Sequence, residues 1–226
     1  MSFNTVQTFE REVATFFGSP YAVAVDSCTH GLELCLRFSG VELINVPRHT
    51  YISIPFLADK LNIKREWKIE NWKDYYNLTD KDSRWNIMDA AVLWKKNSYI
   101  PGTYMCISFQ FQKHLSLGRG GIILTDNEDS AKELKKMSYD GRAFDTPWRE
   151  QNIKTIGYHY YMTPETAQNG LDKLPAAIEA TPRDWVIDDW PDLTRMEVFD
   201  EAREKEPDYK TFNKSDLDTI FHIFKK

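Results

Sequence analysis

The sequence has only three cysteines, Cys28, Cys35 and Cys106, and no Cys-x-x-Cys pair. An odd number at irregular spacing argues against a disulfide framework and a structural zinc, so no metal is expected; it reads as reduced thiols in a cytoplasmic protein. No apolar run approaches the roughly 20 residues that cross a bilayer. The opening MSFNTVQTFEREVATFF places acids where a secretory signal needs a basic start and an apolar centre. Net charge is −5, with lysines and arginines interleaved among acids, so the basic stripe of a nucleic-acid binder is missing. Neither G-x-G-x-x-G nor G-x-x-x-x-G-K-[ST] occurs, which argues against a plain nucleotide-binding module. Repeats and low-complexity tracts are also missing. Neither a membrane nor a nucleic acid is an expected partner.

What is present suits a packed core: 42% of the 226 residues are hydrophobic and 14% aromatic. Phe9, Val13, Phe16 and Phe17 share one face of an opening helix, capped by Asn4 or Thr5 and stopped by Gly18. A buried strand over Tyr21–Val25 follows, then a helix through Leu32, Cys35 and Leu36 that ends at Gly40. ELINVP reads as a strand ending at Pro47, and ISIPFLADKL as a helix begun near Pro55. WNIMDAAVLW and YMCISF read as two more strands, and TDNEDSAKELKKMSYDG as a helix with acids early and lysines late. In MTPETAQNGLDKL, Thr163 caps a helix and Pro164 occupies its first turn. Strands alternating with helices predict an α/β three-layer sandwich around a mostly parallel sheet. From residue 182 the chain turns acidic and tryptophan-bearing.

Open α/β sheets bind ligands beyond the carboxyl ends of their strands, and four stretches stand at such ends. In VDSCTHG, Ser27 and Thr29 open a helix whose free amides favour an anion such as phosphate; ordinary N-capping by either residue explains them too. Asp89 closes an apolar strand and precedes two alanines. A buried carboxylate needs a partner, either a protonated ring nitrogen or the next turn. Tyr51, after a strand, stacks on a flat ligand or packs in the core. Ser108 and Lys113 precede the glycine turn Gly118, Gly120, Gly121 and a return strand. Lys113 there is either a solvated lysine at a hairpin end or an amine poised for a Schiff base. A phosphate cradle, a carboxylate for a ring nitrogen, a stacking aromatic and a reactive lysine together describe a pyridoxal phosphate site.

FEREVATFFGSPYAVAVDSCTHGLELCL, VPRHTYIS, IMDAA, SFQFQKHLSLGRGGIILTDNEDSAKELKKMSYDGR and GYHYYMTPETAQNGLDKL, in this order, resemble blocks of the DegT/StrS-type sugar aminotransferases. These are fold-type I, aspartate-aminotransferase-like enzymes, and the resemblance spans residues 9 to about 175. It implies a pyridoxal phosphate transferase-like large domain over residues 1–181. The C-terminal small domain would be reduced or absent, with an acidic extension at 182–226. It implies Lys113 as the Schiff-base lysine and proton carrier, Asp89 as the pyridine-nitrogen partner, Ala91 against the ring and Tyr51 stacked on it. Thr29 and Ser108 would hold phosphate, helped by the amides of Cys28 and His30, which stand where the family has glycine and alanine.

The implied activity is transfer of an amino group from an amino acid such as glutamate to a keto sugar, nucleotide-linked, in a homodimer and within polysaccharide biosynthesis. Three further positions depart from the family's blocks: Val92 replaces a glutamine, Tyr161 an arginine and Arg119 a glutamate. A catalytically silent binding or interaction protein on the same fold stays open, as does a sugar dehydratase. Dehydratases of this class replace the lysine with histidine, whereas here Lys113 is kept beside His114.

Overall fold

A computed structural model of the chain describes residues 2–80 and 83–200. Residues through Pro191 pack as one compact unit, and a second unit begins at Asp192. The described part of that second unit holds two short 3-10 turns, Leu193–Arg195 and Glu197–Phe199. Of the expected acidic extension, residues 201–226 lie outside the described residues.

The first unit runs α1 (Phe3–Phe17), β1 (Tyr21–Val25), α2 (Cys28–Ser39), β2 (Leu43–Pro47), α3 (Ser53–Leu61), β3 (Lys64–Lys68), β4 (Tyr76–Asn77) and β5 (Asn86–Asp89). It continues with β6 (Thr103–Ser108), β7 (Gly121–Thr125), α4 (Glu128–Ser138) and α5 (Pro164–Glu179). The main sheet has the order β1-β7-β6-β5-β4, and β2 and β3 form a separate parallel pair.

The strands of the main sheet alternate their side chains between two cores, as period-two backbone geometry requires. Val23, Val25, Ile87, Cys106 and Ile123 face α2, α3 and α4, packing with Leu32, Leu57 and Leu134. Ala24, Met88, Met105, Ile107, Ile122 and Leu124 face α1 and α5, packing with Phe9, Val13, Phe17 and Leu174. The result is the three-layer α/β sandwich that the alternation of elements predicts. The sheet itself is mixed, not mostly parallel: β5–β6 is its parallel pairing, while β1–β7, β6–β7 and β4–β5 are antiparallel. Short connections account for β6–β7 and β4–β5. The glycine turn sends the chain straight back, pairing Ser108 with Gly121. β4 and β5 lie too close in sequence for the crossover of about a dozen residues that a parallel pair needs.

Several boundaries move from expectation. α1 starts at Phe3 with Ser2 in the cap position, so Asn4 and Thr5 lie inside the helix. Gly18 ends it in the left-handed region at φ 77°, as glycine readily does. The strand in WNIMDAAVLW stops at Asp89. α3 begins at Ser53, two residues before Pro55. α5 is capped by the Thr163 hydroxyl, which accepts from the Thr166 amide, and continues past Pro175 to Glu179. Glu10 ties three elements together: Oε1 accepts from the Ala24 amide at 3.0 Å, and Oε2 pairs with Lys135 Nζ at 2.5 Å. Burial raises the pKa of this carboxyl, against the pull of Lys135.

Candidate active site

The site begins where β1 gives way to α2. Ser27 caps the helix: its hydroxyl accepts from the His30 amide at 3.2 Å and its carbonyl from the Gly31 amide at 3.0 Å. The amides of Cys28 and Thr29, first in the helix, therefore have no acceptor within it, and both residues line a cavity of about 380 Å³. A helix N-terminus with free amides favours an anion. The Thr29 hydroxyl stands 2.8 Å from that of Ser53, adding two polar groups to the same wall.

Gly121 is what lets this helix start sit so close to the sheet. A Cβ added there would lie 2.4 Å from the Cys28 nitrogen and 2.6 Å from the Ser27 carbonyl carbon, both backbone. Gly121→Ala must displace the start of α2, and overpacking of this kind costs about 2 kcal/mol. We expect a lower melting temperature in thermal unfolding and weaker inorganic phosphate binding in calorimetry.

Asp89 ends β5 and is 3% exposed. Tyr76 Oη donates to its Oδ2 at 2.6 Å and the Ala91 amide to its Oδ1 at 2.9 Å. The Thr50 hydroxyl, 2.6 Å from Tyr76 Oη, completes the chain. Burial is the largest influence and raises the Asp89 pKa, while the Tyr76 and Ala91 bonds and the charge of Lys113 pull it down. Part of the turn-cap reading is thus realised through Ala91, and the carboxylate still faces the cavity.

Lys113 follows β6, held by its amide donating to the Gln110 carbonyl at 2.8 Å. It is not a solvated hairpin lysine. Its Nζ lies 4.3 Å from the centroid of the Trp185 ring and 5.4 Å from that of Trp190. Burial lowers its pKa, opposed by the negative charge of Asp89.

Seven of the eight residues singled out from sequence line this one cavity: Cys28, Thr29, Tyr51, Asp89, Ala91, Ser108 and Lys113. Tyr51 is 54% exposed and sits at the rim. Ser108 is buried at the end of β6, its hydroxyl accepting from the Gln110 amide at 3.3 Å. His30 does not line the cavity. Its amide is used by Ser27, and its ring bonds Asp26 Oδ1 at 2.6 Å and stacks on Tyr160 at 3.7 Å. Of the three further departures, Val92 and Arg119 both line the cavity, Arg119 pairing with Asp26 Oδ2 at 2.8 Å. Tyr161 packs among Phe3, Tyr139 and His159. The outer wall comes from residues the sequence reading left unassigned, among them Trp72, Arg183, Trp185 and Trp190.

The model of the DegT/DnrJ/EryC1/StrS aminotransferase family matches residues 1–65 and 100–183. The chain belongs to this family. The match passes over 66–99, the stretch that contains Asp89. Among curated relatives, the spore coat polysaccharide biosynthesis protein SpsC of Bacillus subtilis is 27% identical over 214 residues, covering 76% of this chain and 54% of its own. The 3-amino-5-hydroxybenzoate synthase of Amycolatopsis mediterranei is 43% identical over 65 residues, 27% of this chain and 16% of its own. Among solved structures, the sugar aminotransferase CalS13 of Micromonospora echinospora superposes with a TM-score of 0.63 at 15% identity, over 77% of this chain and 61% of its own. These similarities place the three-layer core among aminotransferase folds. The chain spans about half the length of the curated relatives that match most of it. Among the described residues no helix is long and apolar enough to cross a membrane.

Proposed function

We propose that the chain is a pyridoxal phosphate-dependent aminotransferase that moves an amino group from an amino acid to the keto carbon of a sugar, nucleotide-linked, within polysaccharide biosynthesis. The observation that supports this most is the convergence of Lys113, Asp89 and the N-terminus of α2 on one cavity, from segments far apart in the chain. The residues fit the cofactor. A volume of about 380 Å³ lies within the range of small-molecule sites, about 300–1,000 Å³. The amides of Cys28 and Thr29 and the hydroxyls of Ser27, Thr29 and Ser108 suit a phosphate. Asp89, buried and already holding two donors, suits a protonated ring nitrogen, and Ala91 leaves room for a flat ring.

Bound pyridoxal phosphate supplies an aldehyde that accepts a primary amine and a ring that withdraws electrons from the neighbouring carbon. The chain's own residues do the rest. Lys113 binds through its amine and moves protons, and its burial-lowered pKa raises the neutral, nucleophilic fraction near neutral pH. Asp89, held in place by Tyr76 and Ala91, would keep a positive charge on a ring nitrogen beside it. Tyr51 and the tryptophans of the outer wall limit water. Homodimer formation, implied by the resemblance, belongs to the same proposal.

The test supplies cofactor-loaded protein with glutamate and follows 2-oxoglutarate by mass spectrometry, then adds a keto sugar nucleotide. Stoichiometric oxo acid and an aminated sugar support the reading. Loading without oxo acid, from any amino acid tried, makes the chain a silent cofactor-holding protein. No loading removes the reading altogether.

A further inference from the structure

Beyond residue 183, where the family match ends, Trp185 and Trp190 come back over the cavity. This strap is tied down at several points. The His49 Nδ1–H donates to the Trp190 carbonyl at 2.9 Å, and Trp72 Nε1 donates to the His49 carbonyl at 2.7 Å. Asp189 pairs with Arg183 and accepts from the Val186 amide. Trp185 and Trp190 stack on each other, with centroids 5.6 Å apart and planes 17° from parallel. The Lys113 amine stands over both rings, nearer to Trp185. Indole faces attract cations, most strongly where water is excluded.

We propose that Trp185 and Trp190 are positioning residues for Lys113, holding its amine as a cation at the outer wall of the cavity until an aldehyde ligand enters. The second half of that statement rests on the cofactor reading above; the first half stands on the strap alone. The other charged and titratable groups that line the cavity with this amine are Asp89 from β5, Cys28 from α2, Tyr51 after β2, Arg119 from the glycine turn, and Arg183 and Asp189 from the strap. Burial, the largest influence, opposes the cation, as does Arg183, whereas Asp89 favours it; the Cys28 thiol, its pKa pushed up by burial, carries no charge. The indoles add to the side of Asp89. An aldehyde ligand that took the amine would have to draw it off the indoles, so ligand entry and release of the amine would be coupled.

The pH dependence of Lys113 acylation in the full chain without cofactor, read by peptide mass spectrometry, tests this directly. The exposed Lys95 and Lys96 serve as internal controls. Trp185→Leu keeps apolar bulk but loses the ring face. Its Lys113 midpoint should fall by about one pH unit, a roughly tenfold gain in neutral amine at pH values well below the midpoint. Trp185→Phe should fall between Leu and wild type, and Trp190→Leu should shift less because its ring is farther. These two variants keep the question open to measurement if Trp185→Leu does not fold. A midpoint unchanged or raised in the folded variants overturns the proposal, since mere packing does not move it downward. Cofactor attachment is measured separately in the same proteins. A lowered midpoint with no cofactor attached to Lys113 in any of them would sink the proposed function and leave the indole hold on the amine standing.

Discussion

Lys113→Ala, mixed with pyridoxal phosphate, should give a protein with no visible absorption band and no borohydride-trapped mass on the peptide that carries residue 113. Wild type should show both. Turnover should fall by about 10²–10⁴-fold, the contribution of a positioned proton carrier. Two properties of the residue can be separated. The amine is a charge beside a buried carboxylate, and it is a nucleophile. Lys113→Arg keeps the charge, and with it the attraction to the indoles and to Asp89, but offers no primary amine. If the arginine variant binds cofactor reversibly yet traps nothing, chemistry at the amine is isolated from electrostatics. The alanine variant has a further consequence. Lys113 pulls the Asp89 pKa down, so its removal leaves that carboxyl still harder to ionise and weakens its hold on a protonated ring nitrogen. A trapped adduct on another lysine, with Lys113 unmodified, would defeat the assignment.

The parts of this site legible in the sequence are those built from local signals. A short apolar strand followed by Ser27 and Thr29, or by Asp89, announces a strand end and its turn within a few residues. The return strand after Gly118, Gly120 and Gly121 is also a local signal. Its consequence, that β7 runs antiparallel between β1 and β6, follows from the same turn. Alternation of strands with helices nevertheless favoured a mostly parallel sheet. β3 was not legible because KREWK has no buried face of its own: its residues range from exposed to half-buried, and the pairing is set by β2. β4 is two residues long, below what a pattern can register. His30 shows the opposite limit. Position in a motif suggested a cavity amide, but Ser27 at 3.2 Å competes for the same N–H and holds it. The strap had a visible composition, RDWVIDDW, but nothing local says that tryptophans beyond residue 183 lie over Lys113. That contact is long-range and becomes readable only from coordinates.

Asp89→Asn should separate stability from function in opposite directions. The wild-type carboxyl is buried, and its folded pKa is raised above the unfolded value. A carboxyl raised in this way stabilises the fold at pH below about 3.9, the unfolded value. It loses that contribution as pH climbs through the raised folded value. Above that window the cofactor-free protein bears the cost of a desolvated charge, offset in part by Tyr76, Ala91 and Lys113. The amide of asparagine carries no charge, so the variant escapes this cost. Its oxygen can accept from the Ala91 amide, and its NH₂ can donate to Tyr76 Oη once that hydroxyl turns toward Thr50, 2.6 Å away. The variant should therefore match or exceed the wild-type melting temperature near pH 8, with the difference shrinking as pH approaches 4. Turnover should fall by at least about 100-fold, because a fixed charge facing developing charge in a dry site is worth that much. A variant less stable than wild type at pH 8 would mean the ionised carboxylate is needed by the fold itself. Full turnover would mean that residue 89 does not face the reacting ring.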